Sequence, residues 1–297
     1  MEKMAEAVSG SHYQRLHHML SESSWNRSGV RQQLIADANN HFGYASALVI
    51  DESAFAKKGE MSAGVARQWN GRLGKTDNSQ VGVFAAVVRD RVAALVEGEL
   101  YIPEDWFADP ARCREAGIPE GSEFCTKGEM ALNMIHRLRR EGLRFSHVVF
   151  DAGYGHLPWL LRALEGEGET FLAEIHADQA IYLSDPAPAV PVRQSTRGKT
   201  PCRLQAQITP LTVTAWAMTQ PASRWCRLSV REGEKGAVVA DYLKQRVWLW
   251  DGVEQQARCW HLLVRREIGG TKLKFCLANA KPEASLRRLA EMQVARH

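Results

Sequence analysis

No stretch of this 297-residue sequence offers an apolar run long enough to cross a membrane. The opening MEKMAEAVSGSHYQRL is broken by charges where a secretion signal needs an unbroken hydrophobic core, so a cytoplasmic protein is expected. The six cysteines, Cys113, Cys125, Cys202, Cys226, Cys259 and Cys276, form no C-x-x-C pair and no ligand cluster. That spacing points away from a zinc site and from a disulfide framework. The ten histidines show no metal-binding spacing either; His17 and His18 are adjacent and so do not share a helix face. There is no internal repeat and no low-complexity tract.

What is present is enough apolar material for a large core, 45% of the chain. The charge is divided unevenly. Residues 190–297 carry 19 Lys and Arg against 8 Asp and Glu, a balance of +11, which leaves −7 for the first 189 residues of a chain whose total is +4. A basic third suits a polyanion such as a phosphate backbone, though on charge alone the solvated face of a strand-rich region is the commoner explanation.

Local patterns order the chain. YQRLHHML and GVRQQLIADANNHF place apolar residues three and four apart and predict two short helices before residue 44. SALVIDES, QVGVFAAVVRD and VAALVEGELYI predict three strands, the last two joined by a tight hairpin at Asp90 and Arg91. TKGEMALNMIHRLRREG opens with a Thr126–Glu129 capping box and ends at Gly142, as a helix does. Then come the strand HVVFDAG, the helix LPWLLRALEGEG and the strand TFLAEI. This order predicts an α/β layer with a mixed sheet. Beyond the proline-rich SDPAPAVPVRQ, the runs LTVTAWAM, RLSV, QRVWLW, CWHLLVRR and LKFCLA predict a mostly antiparallel β region before a helical tail.

Two carboxylates stand out, because Asp51 follows ALVI and Asp151 follows HVVF. A charge at the inner end of a buried strand is costly unless it is hydrogen-bonded, paired or bound to a cation. Each alone suits a turn cap. If the two strands are neighbours, their side chains meet at the carboxyl edge of the sheet, where ligands of open α/β sheets bind, and the pair suits Mg²⁺.

The stretch VIDESAFAKKGEMSAGVARQWNGRLGKTDNSQVGVF, followed by LYIPEDW, FCTKGEMAL and VVFDAGYG, resembles the DDE-superfamily transposases of bacterial insertion sequences, most closely the insertion sequence seven-oh-one group. The likeness runs in order along nearly the whole chain, which makes it more specific than any single motif. It implies a ribonuclease-H-like core over residues 44–185, an N-terminal helical region over 1–43, a basic β-rich insertion domain over 186–280, and the start of a C-terminal core helix over 281–297. It also implies Mg²⁺-dependent (or Mn²⁺-dependent) cleavage and strand transfer on double-stranded DNA, with Asp51 and Asp151 as the first and second catalytic acids and metal ligands, by a protein acting as a homodimer on the element's ends.

Glu52 also matches an acidic position of the family, but successive strand side chains face opposite ways, and Asp51 is favoured. The resemblance puts Arg296 at the family's arginine four residues before a third acid; the chain stops at His297, short of that glutamate. The expectation is a C-terminally truncated copy, inactive alone, with a DNA-binding remnant as the alternative and a metal-independent acid–base hydrolase as a third reading. Lys57, Lys58, Arg67 and Lys75, expected in a loop beside the metal site, are candidate DNA-phosphate contacts or ordinary solvated cations, and Arg296 is a further candidate DNA contact. Trp69 and Trp106 are candidates to stack bases, though a core role is the commoner use of a tryptophan.

Overall fold

The computed structural model describes residues 5–6, 10, 12–24, 26–193, 200–233 and 236–296. Two helices, α1 (Tyr13–Ser21) and α2 (Arg27–His41), stand where the 3.6-residue pattern puts them. Asn26 starts α2 by accepting hydrogen bonds from the Ser28 and Gly29 amides, which leaves fewer of the first-turn N–H groups unpaired. Ile35 and Ala38 of α2, with Phe42 just after it, are buried in the main core.

The strands of the core are β1 (Ala47–Ala56), β2 (Ala66–Asn70), β3 (Lys75–Arg89), β4 (Val92–Tyr101), β5 (His147–Phe150) and β6 (Phe171–Ile175). β3 and β4 form the expected hairpin, with Asp90 at φ 55° in the left-handed region that a short turn requires. The helix α3 (Pro110–Glu115) precedes α4 (Lys127–Arg140), whose capping box forms as read: the Thr126 hydroxyl accepts from the Glu129 amide and the Glu129 carboxylate accepts from the Thr126 amide. The single turn α5 (Ala152–Gly155) and α6 (Pro158–Gly166) follow β5.

The later elements are β7 (Ala180–Ile181), β8 (Leu211–Thr212), α7 (Val213–Met218), β9 (Cys226–Gly233), β10 (Gly236–Leu249), β11 (Arg258–Glu267), β12 (Leu273–Ala278) and α8 (Leu286–Val294). LTVTAWAM departs from the expected strand. Thr212 caps a helix by accepting from the Ala215 amide, and Val213, Trp216 and Ala217 bury one face at helical spacing.

One ten-stranded sheet runs β2-β3-β1-β5-β6-β12-β11-β10-β9, with β4 on β3. β1, β5 and β6 are parallel and every other neighbour is antiparallel. This is the mixed α/β, ribonuclease-H-like fold that the resemblance implies. β9 to β12, expected in a separate insertion domain over residues 186–280, extend that same sheet, because β12 pairs with β6. Residues of even number in β1 and β5, such as Leu48, Ile50, Val148 and Phe150, face α4 and α6 in the larger core; Ala47, Val149, Leu172 and Cys276 face α8 on the other side. Phe171 meets Trp260 edge-on at 5.0 Å, a contact that contributes about 1 kcal/mol beyond its buried area.

His147 sits on the α8 side, 3% exposed, with its Nδ1 2.7 Å from the Ser146 hydroxyl. Burial, and then the charge of Arg288, push its pKa down to about 4. The unfolded chain binds that proton near pH 6.5, so stability is full above pH 6.5 and falls as pH drops towards 4. We expect about 3 kcal/mol to be lost across that window and His147→Leu to flatten the loss, measured by urea unfolding at pH 7 and pH 4.5.

Candidate active site

Register brings three carboxylates into one row. Ile50 pairs with Phe150 and Phe150 with Ala173, so the next positions on the adjacent parallel strands are Asp51, Asp151 and Glu174. All three lie on the face that carries Ala47, Val149 and Leu172, towards α8. Asp51 is within its strand, not at its end. β5 stops at Phe150, while β1 continues to Ala56 against β3 alone, so Asp51 stands where the parallel partner ends.

Asp151 caps the turn that follows β5. Its Oδ1 accepts from the Gly153 amide at 2.9 Å and the Tyr154 amide at 3.3 Å. Burial and the neighbouring Asp51 charge raise its pKa, against the opposing pull of Arg296 and of these two amides. Gly155 lets this turn lie directly on β6: a Cβ there would sit 1.8 Å from the Glu174 carbonyl oxygen. Tyr154 is buried against Phe150, with ring centroids 5.6 Å apart, and burial followed by the charges of Glu52, Asp151 and Asp51 raises its pKa.

Arg296, just past the end of α8, reaches all three acids. Its Nη2 lies 3.2 Å from Asp51 Oδ2 and 3.7 Å from Asp151 Oδ2, and its Nη1 donates to Glu174 Oε2 at 2.8 Å. Burial disfavours the guanidinium charge, but Asp51, Glu174 and Asp151 together outweigh it and raise the arginine's pKa. α8 is held down by Leu289, Ala290 and Met292 and by Gln293, whose amide nitrogen donates to Cys276 Sγ at 3.1 Å. Cys276 is opposite Glu174 in the sheet; burial, then the Glu174 charge, push its thiol up to about 12, so it is inert packing.

The other expected residues are not at this point. Glu52 faces the opposite side and pairs with Lys127, whose ammonium lies 5.2 Å from the Tyr101 ring centre. Lys57 and Lys58 follow β1; the Lys57 amide donates to the Asn78 carbonyl at 2.9 Å. Arg67 and Lys75 are on the ribbon of β2 and β3, not in a loop beside the acids. Arg67 is opposite Asn78, six residues along β3 from Phe84, the partner of Asp51, or about 20 Å at about 3.3 Å per residue. Lys75 is exposed and paired with Asp77 at 3.0 Å, which lowers the Asp77 pKa. Arg296, expected to contact DNA, is turned onto the acids. Trp106 is buried, with its indole N–H donating to the Val65 carbonyl at 3.0 Å, whereas Trp69 is 62% exposed beside Arg67. Glu174 was not singled out by the sequence reading, although an acid two residues beyond a buried Leu172 in FLAEI carries the same signal as Asp51.

Acids gathered at the carboxyl edge of a mixed α/β sheet suit phosphate-ester chemistry, and the family model described as DDE superfamily endonuclease matches residues 1–237. The chain belongs to that family. It is also 31% identical, over 156 residues, to a probable transposase for insertion sequence element IS701 from Microchaete diplosiphon; the match covers 52% of this chain and 38% of that relative. Among the described residues no helix is long and apolar enough to cross a membrane, and no group of three or more His, Cys, Asp or Glu is arranged to hold a metal ion.

Proposed function

We propose that this chain is a transposase polypeptide that binds the DNA ends of an insertion sequence and that Asp51 and Asp151 hold the divalent cation, Mg²⁺ or Mn²⁺, used to cut them. The observation that carries this reading is the convergence of Asp51 Oδ2 and Asp151 Oδ2 on one nitrogen of Arg296, at 3.2 and 3.7 Å. Two carboxylate oxygens aimed at one cationic point are the hard donor set that Mg²⁺ takes, with water and phosphate oxygens completing its shell. When bound, such an ion polarises the phosphate and activates the attacking oxygen.

The protein's own part is positioning. The strand register and the two amides on Asp151 fix the carboxylates, and the rigidity of the sheet keeps them together. In this reading Arg67, about 20 Å from the acids, holds a phosphate roughly six base pairs along the duplex, with Lys57 and Lys58 as further phosphate contacts. Lys75, already paired with Asp77, has the smaller part. Two ends cut in one event call for two copies of the chain, a homodimer on DNA. The six cysteines are all unpaired, which suits a cytoplasmic protein sharing a compartment with its substrate.

A second reading, DNA binding without cutting, is favoured by one observation: among the described residues no three His, Cys, Asp or Glu side chains are arranged to hold a metal ion, Glu174 being bonded to Arg296 instead. A nicking assay on supercoiled plasmid carrying the element's ends separates the two. Mn²⁺-dependent nicks lost in Asp51→Asn support the cutting enzyme. Gel-shift binding without nicks supports the second reading, and nicking that survives EDTA contradicts both.

A further inference from the structure

We propose that Arg296 is a built-in counter-cation occupying the metal position, that it must withdraw before a divalent ion binds, and that Glu174 is the positioning residue that holds it there. The inference rests on the reading that Asp51 and Asp151 form a cation site. A Mg²⁺ ion sits about 2.1 Å from its ligand oxygens. Arg296 Nη2 is already 3.2 Å from Asp51 Oδ2 and 3.7 Å from Asp151 Oδ2, the carboxylates that would hold such an ion. A divalent ion and a guanidinium cannot share that space, and their like charges repel strongly in a partly buried site.

The arginine is held there firmly. Its Nη1 donates to Glu174 Oε2 at 2.8 Å, its side chain is only 19% exposed, and Gln293 pins the preceding helical turn to Cys276. A planar fork that bonds Glu174 with one nitrogen while the other spans two aspartates is a geometry a guanidinium supplies and an ammonium does not. In this arrangement Arg296 offsets the repulsion between Asp51 and Asp151, and metal binding becomes coupled to release of the residues that follow α8. The site would thus stay partly neutralised until a divalent ion takes the arginine's place.

Mn²⁺ titration by calorimetry, with melting temperature read in parallel, tests this without any activity assay. Arg296→Gln removes the charge but keeps a polar head, and we expect it to bind Mn²⁺ at least fivefold more tightly than the native protein and to gain more in melting temperature on Mn²⁺ addition. Equal or weaker binding overturns the inference while leaving the metal site standing. If neither protein binds Mn²⁺, or if binding by Arg296→Gln survives a second Asp51→Asn change, the metal-site reading itself fails. Should Arg296→Gln not fold, Arg296→Lys keeps the charge but not the fork; tighter binding than native, by a smaller factor, is expected, and no gain overturns the inference. Glu174→Gln separates anchor from ligand: freeing the arginine should raise Mn²⁺ affinity, and a fall would make Glu174 a metal ligand and refute its assigned part.

Discussion

Replacing Asp151 by Asn lowers Mn²⁺ affinity by on the order of a hundredfold or more, because the ion loses one of two charged ligands and keeps a neutral amide. The same change in Asp51 has an equal effect, and titration calorimetry on folded protein reads both. The pH dependence follows from geometry. Asp151 has a raised pKa, first through burial and then through Asp51, and the metal binds its ionised form. Affinity in the native protein therefore falls as pH drops through a range above that of an ordinary aspartate. Asp51→Asn, by removing the second cause, lowers the pKa of Asp151 itself, read in the metal-free protein by carboxyl-carbon NMR titration. A titration curve unchanged by Asp51→Asn would mean that the two carboxylates do not sense one another.

Gly155→Ala carries the other large effect. The added Cβ would lie 1.8 Å from the Glu174 carbonyl oxygen and 2.9 Å from its carbonyl carbon, both backbone atoms that no rotamer change can move. The turn carrying Asp151 must lift from β6, at a cost of about 3 kcal/mol or more. Gly166→Ala is the control. That glycine has open space around its would-be Cβ and no positive φ, so alanine there is neutral or stabilises by up to about 1 kcal/mol. Urea midpoints decide: a loss of less than about 1 kcal/mol for Gly155→Ala would show that turn and strand are not in close contact.

Some of this architecture was legible in the sequence, and the rest was hidden for identifiable reasons. Elements set by local chemistry stand as read: the Thr126 cap of α4, the hairpin at Asp90, and the buried strands before Asp51 and Asp151. The misread elements are those where tertiary context decides. The short strand ARQWN alternates half-buried and exposed residues with no apolar run, and only pairing with β3 makes it a strand. TVTAWAM is rich in residues that favour strands, yet its cap and its buried Trp216 make it a helix. Strand patterns do not name their partners. The pairing of Ala278 with Leu172, more than a hundred residues apart, joins the basic strands to the core sheet, and no local signal carries it.

The site followed the same division. Asp51 and Asp151 are visible because each breaks an apolar run, and strand alternation turns Glu52 to the other face, where it pairs with Lys127. Glu174 lies inside FLAEI and not after it, and only the sheet register, which is not a local property, aligns it with Asp51 and Asp151. The inward turn of Arg296 depends on α8 docking through Met292 and Gln293, a contact across the sheet that no local pattern records.

Mn²⁺ binding to the native protein, Asp51→Asn and Asp151→Asn, measured side by side at pH 7.5, tests the central claim most directly. Saturable binding to the native protein that is lost in both variants, with all three folded by circular dichroism, is the predicted result. Undiminished binding in either variant would contradict the claim that these two aspartates form the cation site.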